Sequence, residues 1–395
     1  MTTVPSHGSR SAAILHAVHA RPGVTRASLV RTLDISSGLA TDTVGRLTHA
    51  CLLAEIPAPA TGGRGRPTHA VVAHPAGPLV AAVAISDERW ELALIELGGR
   101  IIDRFTAPHG GDWAGVRRAV RRRLGAGERS SGRRIAAVCV SVPGTVSARR
   151  LVQAPNLGWE DVDLEQLVPA ARLPRLRTIQ AGNDASLAGL GEARRGSSAG
   201  ARTVVHLQMD NGIGGALLLD GHPVAGAQGL AGEFGHMPFG PRGRRCRCGA
   251  SGCWNTGLDG AALATGLGVS LPADEVSFTI DVLARAAEGG SAERRVLRRS
   301  ARILGEGTAA LVNALDPELV CLGGLAPALR AAAPEQLQAG YRGGLMSSRA
   351  SAPPPLLDGR LAADAVLTGA GELGFDVLLA DPGLPQWSEP GGPPA

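Results

Sequence analysis

Apolar positions near the start of the chain recur at the spacing of one helix face. Ile14, Leu15 and Val18 do so within residues 11–20, and Pro22-Gly23 ends that run. Thr25 stands where an N-cap is needed for a second helix over Arg26–Leu33, with Leu29, Val30 and Leu33 inward. Asp34-Ile35 makes a short turn. Ser36 then caps a third helix running to about Cys51, whose inner face carries Leu39, Val44 and Leu47. Residues 52–56 and 69–72 read as two strands flanking the Gly62-Gly-Arg-Gly-Arg-Pro67 loop. A supporting helix, two helices joined by a tight turn and a strand pair predict a winged helix-turn-helix over residues 1–76.

From residue 77 onward the period changes. Residues 79–85, 91–97, 99–105 and 135–142 read as strands, two of them joined by Gly98-Gly99, and residues 203–207 and 215–219 form a second set. Helical spacing covers 113–124, 185–194, 277–288 and 292–315. Strand sets that precede helices twice over predict an α/β chain of two similar lobes. Residues 381–395, with five prolines and three glycines, are expected to form a disordered tail.

Charge changes this picture in one respect. Every one of the 40 basic residues is arginine, which reads as the codon bias of a GC-rich genome. Residues 1–78 hold seven of them against Asp34, Asp42 and Glu55, so a net +4 of the chain's +5 falls in the small first domain. Phosphate neutralisation by such a domain supplies most non-specific affinity for nucleic acid. The third helix would offer Ser37, Gly38, Thr41 and Arg46 to the major groove, and the loop tip would offer Arg64 and Arg66 to the minor groove. No segment approaches a membrane span, and three of the six cysteines fall in one candidate metal cluster, so the expected compartment is the cytoplasm.

That cluster is His236 followed by Cys246-Arg-Cys248-Gly-Ala-Ser-Gly-Cys253. Cys-x-Cys with a third cysteine five residues later can wrap one tetrahedral ion, because Gly249 and Gly252 permit tight turns. His236 would be the fourth ligand. Four protein ligands leave no position for water, so the expected ion is a structural zinc.

The same stretch, Gly232-Glu-Phe-Gly-His236 and then Cys-x-Cys-Gly-x-x-Gly-Cys, resembles the ROK family of repressors and sugar kinases. Val142-Pro-Gly144, Ala154-Pro-Asn-Leu-Gly-Trp159, Asn183-Asp-Ala185, Asn211-Gly-Ile-Gly-Gly215 and Leu322-Gly-Gly324 follow in family order over about residues 79–380. The resemblance implies an actin-like, ribonuclease-H-like fold over residues 77–380. Its lobes would cover about 77–182 and 183–365, with a C-terminal helix returning to the first and ligand in the cleft between them. It also implies that Asn156, Asn183, Asp184 and Glu233 bind sugar hydroxyls, Asp184 standing at the position of the kinase base. His236 would orient the loop that carries Glu233. Asn255 stands where the family pattern has a glutamate.

Two functions compete. A kinase of this fold needs glycine-rich phosphate turns. Here Ala84, Ser86, Asp87 and Glu88 occupy the first, and Asp210 opens the second. A carboxylate beside phosphate costs about 1–4 kcal/mol at 4 Å, depending on the local dielectric. The expectation is therefore a transcriptional regulator of carbohydrate genes, a repressor and not an enzyme. It would be a homodimer or homotetramer on a double-stranded DNA operator, modulated by a sugar or sugar phosphate. The alternative is an ATP-dependent hexose kinase with an added N-terminal domain.

Overall fold

The computed structural model describes residues 10–58 and 69–388 and separates into two compact units. One holds residues 1–142, 162–182 and 370–395, the other 143–161 and 183–369. The chain opens with α1 (Arg10–Ala20), β1 (Val24–Thr25), α2 (Arg26–Leu33), α3 (Ser37–His49), β2 (Leu53–Pro57) and β3 (His69–Ala73). Both expected caps form: Thr25 Oγ1 accepts from Ser28 N at 3.1 Å and Ser36 Oγ from Leu39 N at 3.2 Å. Ile14, Leu15, Val18, Leu29, Val44 and Leu47 are buried, so the three helices close on one apolar centre. β3 lies between β1 and β2 in an antiparallel sheet. The two-residue β1 is too short to leave a periodic signal, and sequence reading missed it. Arg64 and Arg66, expected at the loop tip, lie outside the described residues.

The same unit continues with β4 (Leu79–Ile85), β5 (Arg89–Glu96), β6 (Ile101–Pro108), α4 (Trp113–Ser130) and β7 (Ile135–Val142). The chain then leaves for an antiparallel ribbon, β8 (Thr145–Ser147), β9 (Arg150–Ala154) and β10 (Trp159–Asp163), and returns as β11 (Thr178–Asn183). The sheet order is β11-β7-β4-β5-β6, with β4 parallel to β7 and antiparallel to β5. β7 is buried at every position, the mark of a central strand covered on both faces.

In the second unit α5 (Asp184–Arg195), β12 (Thr203–Met209), β13 (Ile213–Leu219) and β14 (His222–Pro223) lead into the cysteine loop. α6 (Gly260–Leu267), α7 (Glu275–Ala287), α8 (Ser291–Leu315), β15 (Leu319–Gly324), α9 (Ala326–Ala332), α10 (Pro334–Gly344), α11 (Ser347–Ala350) and β16 (Leu356–Asp358) follow, and α12 (Ala365–Leu379) begins here but belongs to the first unit from residue 370 onward. The second unit's sheet order is β14-β13-β12-β15-β16, with β12 antiparallel to β13 and parallel to β15. The pairing rule of the first sheet thus recurs in the second, and the fold is the two-lobed α/β class expected. One division between the two units falls between residues 182 and 183. The β8–β10 ribbon, placed in the first lobe from sequence, clusters with the second.

Two features fix the first unit's N-terminal helices to its sheet. Gly98 N–H donates to His19 Nδ1 at 2.9 Å, so the ring proton sits on Nε2, 3.2 Å from Glu372 Oε2 on α12. Phe375 packs on the same imidazole, ring centroids 4.6 Å apart. The expected disordered tail needs correction over its first half. Leu384 and Trp387 are buried, Trp387 Nε1 donates to Ala76 O at 3.1 Å, and the Arg175 guanidinium lies over the Trp387 ring at 4.4 Å. Proline-rich composition suggested disorder, but one buried indole outweighs it. Residues 389–395 lie outside the described residues.

Candidate functional site

All six expected ligand residues belong to the second unit. Asn183 ends β11 and caps α5: its Oδ1 accepts from Ser186 N at 3.1 Å and its Nδ2 donates to Gly144 O at 2.9 Å. Both ends of that amide therefore serve the scaffold. Asp184, half-buried, begins α5 and accepts from Ala185 N at 2.8 Å, where the helix dipole favours its negative charge. Glu233 is exposed, and its Oε1 accepts from Thr145 Oγ1 at 3.3 Å, next to the Gly144 carbonyl that holds Asn183. Its Oε2 lies 3.7 Å from His236 Nε2.

His236 turns its other nitrogen to the cysteines. Nδ1 lies 3.7 Å from Cys246 Sγ, and Cys248 Sγ lies 3.7 Å from Cys253 Sγ. The four donor atoms all fall within 4.8 Å of one another. An ion bonded at about 2.3 Å to sulfur has tetrahedral edges of roughly 3.8 Å, so these donors fit one. Sulfurs 3.7 Å apart are not disulfides. Burial and the neighbouring sulfurs of Cys248 and Cys246 push the Cys253 thiol up to about 12. The loop is built to stay in place. Trp254 is fully buried and donates to Ile303 O at 3.1 Å, and Gly307 of α8 leaves the room its indole needs. Arg244 Nη1 donates to Thr256 O and its Nη2 to Ala261 O and Thr265 Oγ1, each at 3.0 Å.

Arg247, between the first two cysteines, donates through Nη1 to Asn156 Oδ1 at 2.7 Å and through Nη2 to the buried Glu275. Asn156, Asn183, Glu233 and His236 are thereby linked through Gly144, Thr145 and the cysteine loop, with Asp184 one residue further. Sequence reading missed Thr145 and Arg247; the position of Arg247 inside Cys-x-Cys was the available signal. Asn255 is held differently from expectation. Its Oδ1 accepts from Ile213 N at 2.6 Å in the β12–β13 turn and packs against Gly235, leaving its NH2 as the group it can offer.

That turn is where a kinase of this fold would hold phosphates. Gln208 Nε2 donates to Asp210 Oδ2 at 2.8 Å, and Asp210 N donates to Gly212 O at 3.0 Å. The other Asp210 oxygen lies against Gly324, whose φ of +60° and contact with Met209 O admit no side chain. In the first unit, Ser86 N and Oγ both donate to Arg89 O, at 2.9 and 3.1 Å, closing the β4–β5 hairpin with Asp87-Glu88 at its tip.

On the N-terminal helices, Ser37, Gly38, Thr41, Asp42, Gly45, Arg46 and His49 are exposed along one side of α3, opposite the buried Ala40, Val44 and Leu47. The structure thus brings Ser37, Gly38, Thr41 and Arg46 to one face and adds His49, which sequence reading did not single out.

The ROK family profile matches residues 82–373, and the chain belongs to that family. Over 260 residues it is 28% identical to a glucokinase of Halalkalibacterium halodurans, covering 59% of this chain and 76% of that one. Over 331 residues it is 24% identical to the DNA-binding transcriptional repressor Mlc of Escherichia coli, covering 76% and 77% of the two chains. The solved structure of a ROK family transcriptional regulator, a homologue of the Escherichia coli Mlc protein, superposes with a TM-score of 0.74 at 21% identity. That match covers 95% of this chain and 96% of the other. The fold is therefore the actin-like ROK fold with a small N-terminal domain in front.

Proposed function

We propose that this chain is a transcriptional repressor of carbohydrate-related genes, with residues 1–76 a winged helix-turn-helix and residues 77–380 a kinase-derived sensor. The observation that carries the reading is the N-terminal module itself, with capped α2 and α3 and a solvent-facing side of α3. Ser37, Gly38, Thr41 and Arg46 would enter the major groove, and Arg64 and Arg66 the minor groove. Paired modules in a homodimer or homotetramer would read a pseudo-palindromic operator. No helix among the described residues is long and apolar enough to cross a membrane, in keeping with a cytoplasmic regulator.

Asn156, Asp184, Glu233 and His236 would hydrogen-bond the hydroxyls of a sugar or sugar derivative, with Asn255 contributing its NH2 and Asn183 positioning the start of α5. A zinc ion on His236, Cys246, Cys248 and Cys253 would be structural, fixing the His236 ring whose Nε2 faces Glu233. Turnover is not part of this reading, because Asp210 places a carboxylate where phosphate charge would need neutralising. A carboxylate at Asp184, the position that the resemblance gives to the kinase base, and the 28% identity to a glucokinase favour the second reading, a sugar kinase. Selection of bound DNA followed by gel shift with a sugar panel tests the first reading. An ATP-consumption assay on the same preparation tests the second. Sequence-specific DNA binding without ATP turnover is the expected result; hexose-dependent ATP turnover would overturn it.

A further inference from the structure

The remainder of the chain after residue 78 is nearly neutral in sum, yet one face of α4 is not. Arg117, Arg118, Arg121 and Arg122 sit at i, i+1, i+4 and i+5, so they share a side, while Val116, Val120 and Leu124 turn to the sheet. With Gln166 and Arg172 from the segment before β11, they line an open cavity of about 520 Å³. Ligand clefts for small molecules run from roughly 300 to 1,000 Å³, so this volume exceeds what one inorganic ion needs.

Two of the five guanidiniums, those of Arg117 and Arg121, are held in place. Arg117 Nη1 donates to Gln166 Oε1 at 2.8 Å, and Arg121 Nη1 donates to Gln166 O and Val168 O, each at 3.0 Å. These contacts use the acceptors of the lining, so what it presents inward is N–H groups. Neutralisation from within is slight: among the described residues one ion pair touches the cluster, Arg118 with Asp112 at 3.9 Å. Five guanidiniums kept together with one distant carboxylate, Asp112, among their ion-pair partners repel one another, and a multivalent anion relieves that repulsion. The lining residues are five arginines and one glutamine, with no aromatic ring on which a base could stack, so the recognised chemistry is the anion itself.

We propose that this groove binds a small molecule bearing two or more linked phosphate groups, through the forked donors of Arg118, Arg122 and Arg172 with Arg117 and Arg121 as fixed flanks. Concavity on the scale of a small ligand favours a soluble oligophosphate over the long, even surface that a duplex requires. The site is separate from the operator-reading helix and from the sugar residues, and it stands whether or not the sensor reading holds.

The test is calorimetric titration of the full chain with inorganic tripolyphosphate, orthophosphate and a 20-base-pair duplex of arbitrary sequence. Wild-type protein is compared with the Arg118→Gln/Arg122→Gln/Arg172→Gln variant. These three side chains are exposed and none holds the backbone, so the variant should keep the wild-type melting temperature. The expected result is one tripolyphosphate per chain, at least tenfold tighter than orthophosphate and weakened at least tenfold in the variant. Absence of tripolyphosphate binding, or equal binding by the variant, overturns the proposal. So does a variant that loses duplex binding alone, which would make the groove a nucleic-acid surface. Should the variant melt early, Arg122→Gln by itself must still weaken tripolyphosphate binding at least threefold; unchanged affinity there would also overturn it.

Discussion

Arg247 and Asn156, 91 positions apart, meet at 2.7 Å between a guanidinium nitrogen and a side-chain carbonyl oxygen. One residue stands between two cysteines of the metal cluster and the other in the loop after β9. The contact makes the orientation of a proposed sugar ligand depend on the loop that carries the His/Cys cluster. A charge-assisted hydrogen bond contributes roughly 1.5–3 kcal/mol, less where solvent reaches it as it does Arg247. Arg247→Ala should therefore weaken the effector's action on DNA by about tenfold and leave DNA affinity without effector unchanged. A gel-shift titration with the active sugar checks both halves. Equal effector response in the variant would detach Asn156 from the loop.

Metal removal should act on stability more than on chemistry. The cluster closes a glycine-rich loop with little regular structure of its own, so much of its order comes from four donors converging. One zinc per chain by elemental analysis, and a melting temperature several degrees lower after chelation, are the expected outcomes. Cys248→Ser should lower the zinc content and the melting temperature without any chelator, since Cys248 is one of the four donors yet is exposed and contributes little packing. A chain that melts unchanged without metal would show that the donors merely lie near one another.

Acid should weaken the second unit through His206. Burial drives its imidazole down from the usual 6.5 to about 4, and the Gln208 hydrogen bond and nearby Glu192 only partly oppose this. The folded pKa lies below the unfolded one, so the unfolded chain takes up the proton first as pH falls. The contribution to stability is complete above about 6.5 and disappears progressively toward pH 4, amounting to at most about 3 kcal/mol. Melting temperature followed from pH 7 to 4.5 should drop, and His206→Gln should flatten part of that drop. A variant with the wild-type slope would assign the acid sensitivity elsewhere.

How much of this was legible in the sequence depends on the reach of each signal. Caps and periods are local, so Thr25, Ser36 and the exact span of β7 could be read directly. The matching order of the two sheets is not local. It depends on pairings across distant parts of the chain, Leu79 with Ile135 in one sheet and Val204 with Leu319 in the other, and the two halves carry no shared residues that announce it. The cluster His236, Cys246, Cys248 and Cys253 was legible because ligand spacing is itself a short-range constraint. The use of Asn183 as a cap and of Asn255 on the Ile213 amide was not, since an amide's partner depends on tertiary approach. Composition misled at Trp387, where a Pro/Gly-rich stretch hid the one large side chain that anchors it.

That anchor yields the last prediction. Trp387 is 4% exposed, donates to the carbonyl of Ala76 and lies under Arg175, so it ties residues near the end of the chain to the segment joining β3 and β4. Truncating a buried tryptophan costs about 3–5 kcal/mol through lost burial and the cavity left behind, and here the Ala76 carbonyl also loses its donor. Trp387→Ala should lower the melting temperature by several degrees, whereas Trp387→Phe should recover the packing portion but not the hydrogen bond. Ala76 lies between β3 and β4, so the alanine variant should also raise protease sensitivity near residues 74–78, read by mass spectrometry of the fragments. Cleavage confined to residues 389–395 in both proteins would mean that the indole stabilises its own segment alone and not the link to the N-terminal module.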